Sequence, residues 1–244
     1  MAIAGLYKCF DHWHKEGTLY IYSDPHFGEN SEEAGMINHP ADETQVNFIN
    51  SKVGKKDTII FLGDIGNVEW IKKIRGYKVL IMGNHDAGRT NYERTIYHEL
   101  FEIDRDKEDV RDAMARLYPN CKYSIEEAYG FQAPFEWWDV YADNQLFDEV
   151  YEGPLMIGEK LILSHEPVNI PWAFNIHGHI HDTRHKNDKR HFNVCANSIN
   201  YTPINFNQWM KQGYLSHIET IHRTTIDTAT ERKTKRERKS NGQK

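Results

Sequence analysis

The stretch Lys78-Val79-Leu80-Ile81-Met82-Gly83-Asn84-His85-Asp86 decides how this chain reads. Its apolar residues run without a polar break, the pattern of a strand buried on both faces, and the chain then turns polar across a single glycine. The same grammar recurs on either side. Upstream, Asp57-Thr58-Ile59-Ile60-Phe61-Leu62 is a continuous apolar strand ended by Gly63-Asp64. Thr18-Leu19-Tyr20-Ile21-Tyr22-Ser23 is a β-rich run that stops at the turn Asp24-Pro25-His26. Downstream, Lys160-Leu161-Ile162-Leu163-Ser164 delivers His165. Phe174-Asn175-Ile176 leads into Gly178-His179-Ile180-His181, and His191-Phe192-Asn193-Val194-Cys195 reads as a final strand.

Helices fill the gaps in the first half. Residues 41–53, entered through Pro40, carry Val46, Ile49 and Val53 at helical spacing, and Glu69 to Arg75 reads as a short amphipathic helix closed by Gly76. The order is strand, helix, strand, helix, strand, with polar groups at the strand exits, where open α/β sheets form their ligand sites. Glu149 to Ile157, the turn Gly158-Glu159 and residues 160–164 predict a hairpin. Between about 90 and 146 this spacing stops. Residues 90–118 read as mostly helical with dense mixed charge, and residues 130–138 are aromatic, with Phe131, Phe135, Trp137 and Trp138. The expectation is one α/β domain over 1–230, with 90–146 as an insertion or cap, and no internal repeat.

Composition bounds the function classes. The chain has 244 residues, enough for a substantial core, with 39% hydrophobic and 27% charged residues. No run approaches the roughly 20 apolar residues of a membrane span, so no membrane partner is expected. The first eight residues lack the charged-then-apolar pattern of a signal peptide. Cys9, Cys121 and Cys195 are odd in number and share no close spacing, which suits free thiols and a cytoplasmic protein. Net charge is −6, unevenly spread: residues 231–244 carry a net +5, which leaves −11 on residues 1–230. An acidic body is a poor partner for nucleic acid, and the basic tail reads as a solvated, disordered terminus.

The residues at the strand exits make a metal site. Asp24, His26, Asp64, Asn84, His165, His179 and His181 are the oxygen and imidazole set suited to two divalent cations. Asp24 and His26 are two apart, so an extended backbone would put both on one face, and His179 and His181 repeat that spacing. Gly178 before them reads as a point of tight bending. Asp64, alone after its strand, suits a bridging carboxylate, and Asn84 adds an oxygen without charge. A phosphoester is an anion that repels hydroxide until cations neutralise it, so two such ions point to hydrolysis by a metal-bridging hydroxide. The leaving alkoxide then needs a proton. His85 is the candidate for that role, with Asp86 either orienting it or capping a following helix.

At Asp24-Pro25-His26, Gly63-Asp64, Gly83-Asn84-His85-Asp86, Ser164-His165 and Gly178-His179-Ile180-His181 the chain resembles the calcineurin-like metallophosphoesterase superfamily, whose pattern is D-x-H, GD, GNH(D/E), H and GHxH. The match covers about residues 18–86 and 150–205, and Ser23 to Gly28 with Leu163 to Pro167 look like its small bacterial and phage members. The resemblance implies a four-layer αββα sandwich of two mixed β-sheets with the dimetal centre at one end. It implies one ion on Asp24, His26, Asp64 and His181, and another on Asp64, Asn84, His165 and His179. Mn²⁺ is the ion it favours, with Fe, Zn or Ni able to occupy such sites. It also implies a small phosphomonoester or phosphodiester substrate, nucleotide-derived ones included.

The chain departs from the superfamily's protein phosphatases, whose GD-x-x-D-R-G becomes Gly63-Asp64-Ile65-Gly66-Asn67-Val68, which disfavours a serine/threonine phosphatase. Asn67, His39 and Arg89 are candidate substrate contacts, with Arg75, Arg94 and His185 as further pocket candidates. His12-Trp13-His14 reads as a surface pair of imidazoles. Two rivals remain at this level: a nuclease that uses the basic tail, and a scaffold that keeps the fold without the catalysis. No motif bears on oligomeric state.

Overall fold

The computed structural model describes residues 8–14, 16–86, 95–102, 112, 123–125, 131–132, 135–142, 146–182 and 187–219. The architecture is mixed α/β, built on two mixed β-sheets with few helices. In chain order the strands are β1 (Leu19–Tyr22), β2 (Thr58–Phe61), β3 (Tyr77–Ile81), β4 (Thr95–Glu102), β5 (Tyr123–Ile125), β6 (Phe131–Gln132), β7 (Phe135–Ala142), β8 (Glu149–Tyr151), β9 (Leu155–Ile157), β10 (Leu161–Ser164), β11 (Phe174–His177), β12 (His191–Asn193) and β13 (Ile204–Asn205). Among the described residues, the helices that frame the sheets are α1 (Asp42–Asn50) and α2 (Phe206–Lys211), joined by 3-10 turns at Lys8–His14, Val68–Lys73 and Ala196–Ile199.

The first sheet has the order β13-β1-β2-β3-β8, and the second β12-β11-β10-β9. β1, β2, β3 and β8 are parallel, with β13 antiparallel at the edge. β10, β11 and β12 are likewise parallel, with β9 antiparallel. The unbroken apolar runs of β2 and β3 have a direct cause, because both faces are covered. Ile60, Leu62, Val79 and Ile81 pack between the sheets against Leu161, Leu163, Phe174 and Ile176. Their neighbours Ile59, Phe61 and Leu80 face outward onto Val46 and Ile49 of α1 and Ile71 of the 3-10 turn. Each such buried side chain contributes about 1.5–3 kcal/mol.

The edges are closed by aromatic plugs. Phe206 and Trp209 of α2 stack at 5.9 Å, and Trp209 meets Phe174 and Phe192 edge-on. At the other edge Phe10 meets Tyr151, and Trp13 is buried with its indole donating to Glu149. His12, its side chain 36% exposed, pairs with the same carboxylate, while Trp13 between the two histidines is buried. Tyr77 and Tyr151 also donate to Glu149, which satisfies the carboxylate that an apolar edge would otherwise strand.

Register brings the strand exits level. Tyr22 lies opposite Phe61, and Phe61 opposite Leu80. In the second sheet Ser164 lies opposite His177, and His177 opposite Asn193. A bridge from Ser23 to Cys195 joins the two sheets at that end.

Two expectations need correction. The run 149–157 is not one hairpin strand. β8 pairs with β3 in the first sheet while β9 pairs with β10 in the second, and only the β9–β10 hairpin stands. The chain changes sheet at Gly153-Pro154, where proline cannot donate to a ladder. Residues 95–102 are a strand, not a helix. Thr95, Ile96, Tyr97 and Phe101 favour the pleat, and eight residues pair antiparallel with β7, a non-local contact that charge periodicity does not reveal. The segment after His165 lies on Asn175, whose amide bonds Ile162 O and Ser164 Oγ and whose carbonyl accepts from Val168 N.

Candidate metal centre

Asp24 and His26 follow β1, Asp64 follows β2, Asn84 and His85 follow β3, His165 follows β10, and His179 and His181 follow β11. All lie where the two sheets present their carboxyl ends. Their backbones are unusual: Asp24 (φ 55), His26 (φ 43), Asp64 (φ 54) and His179 (φ 65) are left-handed without being glycine. Each such residue costs on the order of 1–3 kcal/mol, and strain of this kind persists where the surrounding structure over-determines it. The extended backbone expected to place Asp24 with His26 and His179 with His181 is therefore wrong. Left-handed turns aim these side chains inward instead.

Glycines make the approach possible. A Cβ on Gly178 would lie 1.9 Å from Ser23 Oγ and 2.2 Å from Asp24 Oδ2. Its requirement is close packing against the first sheet's exit rather than the bend expected. A Cβ on Gly83 would lie 2.3 Å from Asp64 Oδ1.

The imidazoles carry the chemical argument. His165 Nδ1 donates to Leu62 O at 2.7 Å, and His181 Nδ1 donates to Ala34 O at 2.7 Å. His26 Nδ1 donates to Glu29 Oε2 at 2.8 Å. These acceptors fix the proton on the outer nitrogen, which leaves each Nε2 lone pair facing inward. That is the arrangement of metal-ligating histidines. The inward nitrogens face other electron-pair donors. His165 Nε2 is 2.8 Å from Asn84 Oδ1 and 3.2 Å from Asp64 Oδ2. His181 Nε2 is 3.2 Å from Asp24 Oδ1, and His26 Nε2 is 3.7 Å from Asp64 Oδ2. His26 Nε2 is buried with no hydrogen-bond partner among the described residues. A proton or a metal ion between an imidazole lone pair and a carboxylate oxygen relieves such an approach.

Electrostatics agree. Burial opposes charge on His165, but the carboxylates of Asp64 and Asp24 outweigh it and raise the imidazole to about 9. His181 is raised in the same way, burial being outweighed by Asp24. Burial would raise Asp64, yet the hydrogen bond and charge of His165 and the His85 N–H hold it below the usual carboxylate range. Ligand atoms of Asp24, His26 and Asp64 lie within 4.8 Å of one another, as do those of Asp64, His165 and His179. Asn84 Oδ1 is 3.1 Å from His179 Nδ1, which brings it into the second group. Two metal positions sharing Asp64 fit these donors.

Asp86 has a different place from the one expected. Its Oδ2 accepts from the Asp64 and Gly83 N–H groups at 2.8 Å each, and Oδ1 accepts from Ile65 N–H at 3.1 Å. It ties the exits of β2 and β3 together and so positions Asp64. His85 is exposed, donates its backbone N–H to Asp64 Oδ1 at 2.9 Å, and sets its ring centroid 5.6 Å from that of His26. Asn67 sits at the start of the 3-10 turn, where its Oδ1 accepts from Glu69 N–H at 3.0 Å. His39 lines a cavity of about 660 Å³ beside the centre, with Glu29, Asp42 and Trp70, and its Nε2 donates to His26 O at 3.3 Å. Arg75 is exposed, while Arg89, Arg94, His185 and the basic tail lie outside the described residues.

Three residues escaped the sequence reading. Glu29 and Gln45 hold the Asp24–His26 turn. Gln45 is buried on α1, accepts from Tyr22 OH and donates to Pro25 O. Cys195, fully buried, groups with Asp24 and His181, and burial with the Asp24 charge pushes its thiol up. Its place at a strand exit was the one available signal.

No protein-family profile matches this sequence, and no curated protein matches it. A crystal structure of a protein of unknown function from Aquifex aeolicus is similar at 19% identity, over 80% of this chain and 98% of that one, with a TM-score of 0.45. No helix among the described residues is long and apolar enough to cross a membrane.

Proposed function

We propose that this chain is a metal-dependent phosphoesterase of the calcineurin-like type, acting on a small phosphomonoester or phosphodiester, nucleotide-derived ones included. The observation that carries the reading is the set of three imidazoles, each with its outer N–H committed and its inner lone pair turned toward a carboxylate oxygen. In this reading Asp24, His26, Asp64 and His181 hold one divalent cation, and Asp64, Asn84, His165 and His179 hold the second, with Mn²⁺ the first ion to test. When bound, two such ions supply Lewis acidity for the phosphoryl oxygens and acidify a water toward neutrality.

The chain's own groups supply the rest. The left-handed turns and the Asp86 clamp hold the carboxylates in place before substrate arrives. His85, exposed at the mouth beside His26, protonates the leaving oxygen. The finer fold, a four-layer αββα sandwich, belongs to this same proposal. The test is turnover of p-nitrophenyl phosphate and its bis-ester by metal-stripped protein, with and without Mn²⁺, alongside His85→Ala. Metal-dependent turnover that drops in the variant supports the enzyme. Two bound ions with no turnover above the variant would leave a non-catalytic scaffold.

A further inference from the structure

We infer that Glu29 is a positioning residue of the metal centre, committing His26 to cation binding and strengthening the position formed by Asp24, His26, Asp64 and His181. The inference rests on the dimetal reading above and adds to it a residue that the ligand set does not contain.

Glu29 is delivered to His26 by a closed turn. The Glu29 N–H donates to His26 O at 3.2 Å, while the Glu29 carboxylate accepts from His26 Nδ1 at 2.8 Å. Between them Gly28 takes φ 81, and its N–H is held by both oxygens of Asp42, the first residue of α1, at 3.0 Å each. The turn is thus fastened to the helix layer and cannot drift from the ring it supports. The His26 ring is wedged between His181, 5.0 Å away, and His85, 5.6 Å away, each edge to face.

Charge separates His26 from its neighbours. His165 and His181 lean on neutral backbone carbonyls, Leu62 O and Ala34 O. His26 leans on a carboxylate. A carboxylate acceptor fixes the proton on Nδ1, orients the ring and adds a nearby negative charge. The side chain of His26 is 3% exposed, so the inward lone pair meets no bulk water. It meets Asp64 Oδ2 at 3.7 Å and no hydrogen-bond donor among the described residues, an arrangement that a cation between them resolves. The Glu29 side chain is 27% exposed and also lines the adjoining cavity, so replacing it removes the pairing without opening a core void.

The experiment titrates metal-free full-length protein with Mn²⁺ by calorimetry, comparing wild type, Glu29→Gln and Glu29→Ala. The expected result is two ions in wild type, with one of the two affinities weakened by about 10- to 100-fold in Glu29→Ala and the other unchanged. Glu29→Gln falls between, since its amide oxygen still accepts the Nδ1 proton without the charge. Nitrogen-15 spectra of the Zn²⁺-loaded wild type give a second readout, with the His26 proton on Nδ1. Unchanged affinities in both variants overturn the inference, as does an equal loss at both positions or a proton on Nε2. Fewer than two ions in wild type would instead refute the dimetal reading itself, so the two failures are distinguishable.

Discussion

Replacing Asp86 by Asn separates a positioning carboxylate from a catalytic one. Asp86 is fully buried, and its two oxygens accept three backbone N–H bonds, from Asp64, Gly83 and Ile65. An amide placed there keeps one oxygen. Its best orientation leaves that oxygen at the two-donor position, and its NH₂ then opposes the Ile65 N–H. One charge-assisted bond is lost and two backbone donors face a weaker acceptor. With about 1.5–3 kcal/mol for a bond to a charged group and about 1–3 for a stranded donor, the expected cost is about 3–5 kcal/mol. For a chain of this size each kcal/mol lowers Tm by about 2–4 °C, so the metal-free variant should melt about 6–20 °C lower. Mn²⁺ affinity should fall with it, because the Asp64 backbone is no longer held. The assay is urea and thermal unfolding of the metal-free protein together with metal titration. A variant that keeps its stability and metal binding yet loses turnover would refute the argument and return Asp86 to the chemistry.

Other outcomes follow from the same geometry. His165, raised to about 9 without metal, contributes stability that is fully present below its ordinary value of 6.5 and is lost as pH rises through about 9. Metal-free Tm should therefore decline across that window while apparent Mn²⁺ affinity climbs, because the cation competes with the proton; a flat affinity profile would contradict this. Gly178→Ala places a methyl 1.9 Å from Ser23 Oγ and should cost about 1–3 kcal/mol with loss of metal binding, whereas Gly153→Ala meets nothing within 4 Å and should unfold like wild type in the same urea titration. Saturating Mn²⁺ at 100 times its Kd should stabilise the fold by about 2.7 kcal/mol, read as a Tm rise that chelation reverses. No rise would mean that the centre does not bind that ion.

The linear chain was sufficient for the middle of the architecture and for the polar residues that gather at the strand exits. Ile59 to Leu62 and Val79 to Met82 are legible as strands because burial on both faces demands unbroken apolar runs. Asp24, His26, Asp64, Asn84, His165, His179 and His181 stand out because each directly follows such a run or the turn that ends it. Residue type and strand exit are local properties, so they survive in one dimension.

What only the folded molecule decided depends on contacts between distant segments. The left-handed turns at Asp24, His26, Asp64 and His179 are imposed by packing against the other sheet's exits, as the missing room for a Cβ on Gly178 records. Asp86 lies 22 residues from Asp64 in sequence, and its clamp on the Asp64 N–H exists only once β2 and β3 lie side by side. The change of sheet between β8 and β9, and the pairing of β4 with β7, are equally non-local. Sequence pattern records the faces that an element must bury; which partner buries them, and at what angle a side chain then emerges, is settled by the packing of the whole.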